Sequence, residues 1–225
     1  EITRIISQSI SSPHQLPLRL YQIGPKFRRE LRPRNLFMRM REFCMKDLYT
    51  FDVDPDAALR TYEEVFHAYS RVFKRLALEV VPVRASSGNM GGKLSHEFQM
   101  TSELGEDEVL LCCGCGHAYS AEFLHDSCKS RTCPHCSGSH FSSRRAMELG
   151  HTFYLGTRYT EPLRAIINDS VGVRRPIEMG CFGIGISRLI AALAEAHHDQ
   201  HGLRWPECVA PFNAVIITDD PAHLT

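Results

Sequence analysis

The stretch "FRRELRPRNLFMRMREF", Phe27 to Phe43, gathers Arg28, Arg29, Arg32, Arg34, Arg39 and Arg41 into one short segment. The chain as a whole has no cationic excess, with 26 Lys+Arg against 26 Asp+Glu. A surface-wide field for DNA or membrane is not expected, so this basic site must be local. Residues 16–31 read as one strand and residues 39–52 as another. Their short link predicts an antiparallel hairpin with a basic loop. Alternation sets Arg39, Arg41, Phe43, Met45, Asp47 and Tyr49 on one face of the second strand, while Arg28 and Glu30 share a face of the first. Such a face is a bed for a nucleotide. Guanidinium forks bind phosphate oxygens in pairs, Phe43 offers a flat ring, and Glu30 can accept from an exocyclic amine. The alternative is a solvated, salt-bridged edge hairpin.

Outward from the hairpin, Asp54 and Pro55 read as N-cap and first residue of a helix. Leu59, Tyr62, Val65, Phe66, Tyr69, Val72, Phe73 and Leu76 recur along it as a core-facing stripe. A strand near 79–85 and a loop "SSGNMGGKLSHEF" follow. Residues 103–148 are rich in Cys, His, Ser and Gly and read as a small inserted module. The main domain resumes at "ELGHTFYLGTRYT" and runs to a strand–turn–helix, "RRPIEMGCFGIGISRLIAALAEAHH". The last segment, "APFNAVIITDD", reads as an apolar strand opening a further α/β domain. The chain has 225 residues, 43% of them hydrophobic, enough for one large domain or one domain and a small piece. No apolar run reaches the roughly 18 residues of a membrane span, so no membrane partner is expected. The opening residues resemble neither a signal nor a transit peptide and read as the middle of a folded domain.

Of the nine cysteines, six lie between Cys112 and Cys136. An odd, paired set argues for a reducing compartment and a metal site over a disulfide scaffold. Cys112-x2-Cys115 and Cys133-x2-Cys136 have the spacing of a four-thiolate zinc ribbon. Four protein ligands leave no open position, so such a zinc would be structural. Cys113, His117, Cys128 and His135 are possible substitutes in the ligand set, and reduced, unmetallated cysteines are the alternative.

The order of residues breaks the tie over the hairpin. "FRRE", a loop and then Arg39-x-x-x-Phe43 resemble motif 2 of the class II aminoacyl-tRNA synthetases. "GCFGIGISR", Gly180 to Arg188, is similar to their motif 3. "QLPLRLYQIGPKFRRELRPR", "REFCMKDLYTFD", "GGKLSHEF", "GHTFYLGTRY" and "EMGCFGIGISR" are all similar to the bacterial-type and mitochondrial prolyl-tRNA synthetase family. The resemblance covers nearly the whole chain and is weakest in residues 103–148. It implies an α/β fold, an antiparallel sheet flanked by helices, and a ligase that joins L-proline to tRNA(Pro) through prolyl-adenylate.

By this resemblance Arg28 contacts the α-phosphate of ATP and the proline carboxylate, Glu30 the adenine amine, and Phe43 stacks on the base. Arg39 reaches the γ-phosphate side, Arg188 covers the nucleotide from the opposite wall, and Gly183 and Gly185 allow close backbone approach. Arg28 and Arg188 are the catalytic candidates, and Mg²⁺ is the expected companion of the triphosphate. Met45, Asp47, Tyr49, Phe98, His151 and Cys181 are expected around proline. For Met45 and Cys181 core packing is the other reading, and for His96 and His151 a structural role. Arg32 and Arg34 are expected at the tRNA acceptor end, or simply as an exposed basic loop.

The resemblance divides the chain into catalytic residues 1–102 and 149–211, the insert 103–148, and the start of an anticodon-binding domain at 212–225. The dimer-forming motif 1 and the Thr-x-Glu that grips proline are expected at or before residue 1, so a homodimer is expected of the full-length protein. The short insert stands where bacterial enzymes carry an editing domain, so editing in cis is not expected. Its cysteine pairs resemble animal mitochondrial forms and imply a mitochondrial matrix location, with a bacterial cytoplasm as the alternative. A catalytically silent synthetase fragment or paralogue that binds tRNA or a partner is the competing reading. A zinc-ribbon nucleic-acid binder ranks last, because it leaves motif 3 without a purpose.

Overall fold

The computed structural model describes residues 1–34, 37–127, 132–169 and 172–218. The expected hairpin forms one edge of its main sheet. β1 (Leu18–Phe27) and β2 (Glu42–Asp52) pair antiparallel with Leu18 opposite Phe51 and Phe27 opposite Glu42. Both strands are shorter than the sequence suggests. Arg28–Leu31 and Arg39–Arg41 leave the ladder, although the Arg28 N–H still donates to the Arg41 carbonyl at 2.8 Å. A short helix α1 (Ile2–Ser9) precedes the hairpin, and α2 (Pro55–Arg75) follows it. Asp54 caps α2 as its sequence implies, its carboxylate accepting from the Ala57 N–H at 2.7 Å. Tyr62, Val65, Tyr69 and Phe73 of the expected stripe are buried. Leu59 and Val72 are not, at 38% and 39% exposed, because they sit at the margin of the stripe where the sheet no longer covers the helix.

The next strands are β3 (Val80–Arg84), β4 (Leu94–Thr101), β5 (Asp107–Cys112) and β6 (Ala118–Ser120), then helix α3 (Ala121–Ser127) and the long strand β7 (Phe141–Gly156). The loop expected over 86–98 thus ends early, since Leu94–Phe98 already belong to β4. After β7 come the small hairpin β8 (Ile166–Asn168) and β9 (Arg174–Pro176), strand β10 (Glu178–Gly185), helix α4 (Ile186–Ala196), and the two-residue strands β11 (His198–Asp199) and β12 (Gly202–Leu203). Eight strands form one sheet in the order β1-β2-β10-β7-β4-β3-β6-β5. Residues 212–218 form neither helix nor strand, against the apolar strand expected there.

The segment 103–148 does not stand apart from the main sheet. β5 pairs with the first half of β7, from Asp107 opposite Ala146 to Cys112 opposite Phe141, and β6 bridges to β3. The extra pairing closes β7, β4, β3, β6 and β5 into a ring around Val83, Val109, Ala118 and Ala146. The boundary expected at 148 falls inside β7.

One face of the sheet is covered by α2 and α4, with Phe73, Phe98, Met147, Leu149 and Phe182 in the buried layer. The opposite face holds a second core around Ile6, Phe51, Ile167, Ile177 and Met179. Beside that core the face opens into a cleft.

Candidate active site

The cleft has a volume of about 590 Å³ and is floored by β2, β10 and β7. Alternation along β2 brings Phe43, Met45, Asp47 and Tyr49 to it, and Cys181, Gly183 and Gly185 enter from β10. Arg28 and Glu30 reach it from the end of β1, Arg39 from the start of the return strand, and Arg188 from the first turn of α4. Every residue expected at ATP therefore lines one cavity, as do Met45, Asp47, Tyr49, His151 and Cys181 of the expected proline set. Arg32 and Arg34 lie outside it on the exposed loop; the main chain of Arg34 pairs with that of Arg39.

Phe98 is a correction. It is 1% exposed and packs its ring against Phe66, Tyr69 and Phe73 on the helical face of the sheet. Period-two alternation along β4 sends its neighbours Glu97 and Gln99 to the other face and leaves Phe98 in the core.

The cations are held by the protein itself. The Arg28 guanidinium lies over the Phe43 ring at 5.1 Å from its centroid, with Nη2 3.6 Å from Met45 Sδ. Arg39 is gripped by two carboxylates, Nε 3.1 Å from Glu30 Oε2 and Nη1 2.9 Å from Glu106 Oε2. Glu30 also accepts from the Arg32 N–H at 2.8 Å, and this bond, helped by the Arg39 charge, outweighs the opposing effect of burial and holds its carboxyl below the usual range. Arg188 donates from Nη1 to the Glu148 carbonyl at 2.7 Å and from Nε to the Met38 carbonyl at 3.2 Å. The first bond ties α4 to β7, and the second ties it to the loop between β1 and β2. Ser187 Oγ adds a further tie by accepting from the Cys44 N–H at 2.9 Å.

The deeper wall is polar. Asp47 pairs with Lys26 at 2.8 Å. Burial, reinforced by Cys181 and Asp47, pushes the Tyr49 hydroxyl up to about 12, and burial pushes the Cys181 thiol to about 12 as well. Both stay protonated at neutral pH, so Tyr49 remains a donor. His151 bonds Ser95 Oγ through Nε2 at 2.6 Å and Glu148 Oε1 through Nδ1 at 3.0 Å, with its ring stacked on Phe153. Glu97 lies 3.9 Å from the same Nδ1.

Glu148 and Glu97 are absent from the sequence-derived site. Glu148 and His151 are three apart, which in a regular strand puts them on opposite faces. β7 carries a bulge here: Gly150 faces Phe98 on β4, yet Glu148 faces Gln99. The extra residue returns both side chains to the cleft and sends Leu149 into the core. Gly150 fits because a Cβ there would stand 3.1 Å from the Gly183 carbonyl and 3.3 Å from the Phe73 ring. The hydrogen bond and charge of His151, with Arg188 and Arg28, overcome burial and keep the Glu148 carboxyl below its ordinary value.

At the far end of β7, the sulfurs of Cys112, Cys115, Cys133 and Cys136 all lie within 4.8 Å of one another. Cys112 and Cys136 are 3.5 Å apart and Cys115 and Cys133 3.6 Å. A tetrahedral thiolate site with metal–sulfur bonds of about 2.3 Å has sulfur–sulfur edges of about 3.8 Å, so the donor set fits. The two Cys-x2-Cys loops close alike. Gly116 donates to the Cys112 carbonyl and Ser137 to that of Cys133, both at 2.8 Å and both with positive φ. Of the substitute ligands, His117 and His135 stack on one another beside Cys115, while Cys113 joins neither group. Cys128 lies outside the described residues.

An antiparallel sheet bearing an arginine-lined cleft between a β-hairpin and a glycine-rich strand–helix junction defines a class II synthetase core. The family profile described as "tRNA synthetase class II core domain (G, H, P, S and T)" matches residues 1–197, and the chain belongs to this family. It is 44% identical, over its full length, to the probable mitochondrial proline--tRNA ligase of Schizosaccharomyces pombe, of which it covers 53%. It is 41% identical over 96% of its length to proline--tRNA ligase of Methylorubrum extorquens, covering 54% of that protein. Against the probable mitochondrial proline--tRNA ligase of Homo sapiens the identity is 43%, over 95% of this chain and 44% of the relative. The chain thus spans about half the length of the curated relatives it matches. The prolyl-tRNA synthetase of Cryptosporidium parvum solved with L-proline and AMP shares the fold, with a TM-score of 0.70 at 19% identity over 96% of this chain and 39% of that one.

Proposed function

We propose that the chain is the catalytic core of a proline--tRNA ligase, which activates L-proline with ATP and passes it to tRNA(Pro). The observation that carries this reading is the convergence of Arg28, Arg39, Arg188, Glu30 and Phe43 on one cleft that Met45, Asp47, Tyr49, His151 and Cys181 also line. In the reaction the proline carboxylate attacks the α-phosphorus and pyrophosphate leaves. Positioning and charge neutralisation carry most of such a step. Arg28 holds the carboxylate and α-phosphate together, Arg39 and Arg188 hold the outer phosphates, and Phe43 and Glu30 take the base. Binding requires Arg28 to leave the Phe43 face and Glu30 to exchange Arg39 for the adenine amine. Asp47 and the protonated Tyr49 face the ring nitrogen and carboxylate of proline.

Mg²⁺ is generic for this family and, when bound, neutralises and orients the triphosphate. Glu148, the cleft carboxylate beside Arg188 at 3.7 Å, is the residue that would share it. The four-thiol cluster would hold a structural zinc. Arg32 and Arg34 would meet the acceptor end of the tRNA, and the full-length protein would be a homodimer whose anticodon-binding domain begins near Phe212. Similarity to mitochondrial ligases supports the mitochondrial matrix; similarity to bacterial ligases supports a bacterial cytoplasm as the second reading.

The test is proline-dependent exchange of pyrophosphate into ATP, with alanine and cysteine as controls. Exchange specific to proline is expected. Its absence from folded protein would favour the silent synthetase fragment.

A further inference from the structure

We propose that the turn and strand opening the cysteine-bearing segment buttress the phosphate side of the cleft, with Glu106 as the positioning residue for Arg39. The inference rests on the ATP-binding reading above and adds to it a residue from outside motifs 2 and 3.

The turn is fixed at both of its ends. The Ser102 N–H donates to the Arg145 carbonyl at 3.1 Å, and Ser102 Oγ donates to Glu195 Oε1 on α4 at 3.1 Å. Ser102 Oγ also accepts from the Leu104 N–H at 3.1 Å. Gly105 then lies directly on the β7 backbone, where a Cβ would overlap the carbonyl of Ala146, so only glycine lets the chain pass. Arg145 Nε closes over it, donating to the Gly105 carbonyl at 3.0 Å.

The two residues that leave this turn are both acidic, and both reach the active site. Glu106 meets Arg39 Nη1 at 2.9 Å. Asp107 accepts from Gln99 Nε2 at 3.3 Å and from the main-chain N–H of Glu148. The Glu148 carbonyl in turn holds Arg188. The turn therefore touches both cations of the triphosphate side, Arg39 directly and Arg188 through one residue.

Arg39 is half exposed and carries the rotamer freedom of a long side chain, which gripping a phosphate would remove. Two carboxylates restrict that freedom in advance. Glu30 is the one expected to turn to the adenine amine, which leaves Glu106 as the lasting anchor while Arg39 faces the outer phosphates. Prior fixation of this kind raises affinity for the ligand group that meets the fixed charge, and for no other.

The experiment is calorimetric titration of wild-type protein, Glu106→Gln and Glu106→Asp with Mg²⁺-ATP and, separately, with AMP, beside proline-dependent exchange on the wild type. Glu106→Gln is expected to weaken ATP about two- to fivefold, the range of a partly exposed ion pair, and to leave AMP unchanged. Glu106→Asp recovers part of the loss. Unchanged ATP affinity in Glu106→Gln would overturn the proposal, as would equal weakening of ATP and AMP, which marks general distortion of the cleft. Wild-type protein that binds ATP without proline-dependent exchange would refute the ligase reading alone, and the Glu106 result would still be decided by the two titrations. Wild-type protein that binds no ATP would overturn both.

Discussion

Glu97 is a largely buried carboxylate beside His151 of the cleft, and replacing it with glutamine should stabilise the protein in a pH-dependent way. Its Oε2 accepts from Gln99 Nε2 at 2.9 Å, and its Oε1 lies 3.9 Å from His151 Nδ1. Burial, followed by the negative charge of Glu148, pushes its carboxyl from 4.5 up to about 7. Near neutral pH the folded protein thus keeps a proton that the unfolded chain has released. A group raised in this way supports the fold below pH 4.5, and that support is lost as pH rises toward 7. At about 1.4 kcal/mol per unit the whole shift is worth about 3 kcal/mol. That shift already includes the attraction of His151, so the full value of about 3 kcal/mol is expected above pH 8. Glutamine keeps the shape and the acceptor and has no charge to bury. For a chain of this length that corresponds to a Tm about 6–12 °C higher than wild type at pH 8.5, with little difference at pH 5. Thermal unfolding followed by circular dichroism at the two pH values measures it. The reasoning is refuted by an offset in Tm that is the same at both, or by a less stable variant at pH 8.5.

Three further perturbations separate the parts of the site. Arg188→Lys cannot keep both bonds to the carbonyls of Met38 and Glu148, so exchange activity should fall at least tenfold in kcat/KM while the circular dichroism spectrum stays native; full activity would show that the fork is dispensable. Cys112→Ser with Cys136→Ser should reduce zinc, measured by elemental mass spectrometry, from about one per chain to a small fraction, and lower the Tm; equal zinc in variant and wild type would remove the cluster as its site. Gly180→Ala puts a Cβ 2.6 Å from Thr50 Oγ1 and 2.7 Å from the Phe182 ring, an overpacking expected to cost about 1–3 kcal/mol, and an unchanged Tm would contradict that geometry.

What the sequence made legible was local. Asp54 and Pro55 announce a helix start by their own chemistry, and alternation along β2 assigns Phe43, Met45, Asp47 and Tyr49 to one face without any knowledge of the partner strands. What stayed hidden depended on pairing across the chain. Phe98 is placed at proline by resemblance alone, and nothing in "SHEFQM" says which side of β4 faces the helices; the aromatic layer from α2 decides it. Glu148 was missed because a bulge reverses the alternation of β7, and bulges leave no mark in single-sequence periodicity beyond a glycine. The cysteine segment reads as separate because the pairing of β5 with β7 joins residues 29 to 39 positions apart.

That same pairing has a consequence for engineering. Cys112 and Phe141 stand opposite one another at the last rung of the β5–β7 ladder. The polypeptide thus departs from the sheet and returns to it at a single point, and closing that excursion with a shorter or longer segment costs little in itself. The excursion is nevertheless not a free cassette, because it carries β6, whose Ala118 fills the small core of the ring and whose Tyr119 pairs with Arg84 of β3. Replacing residues 113–140 by a tight turn would take the metal cluster and β6 away together and uncover Val83, Val109 and Ala146. The stems below that rung, with Gly105, Glu106 and Asp107 on one side and Glu148 and His151 on the other, would keep their own ladder but lose the layer that backs it.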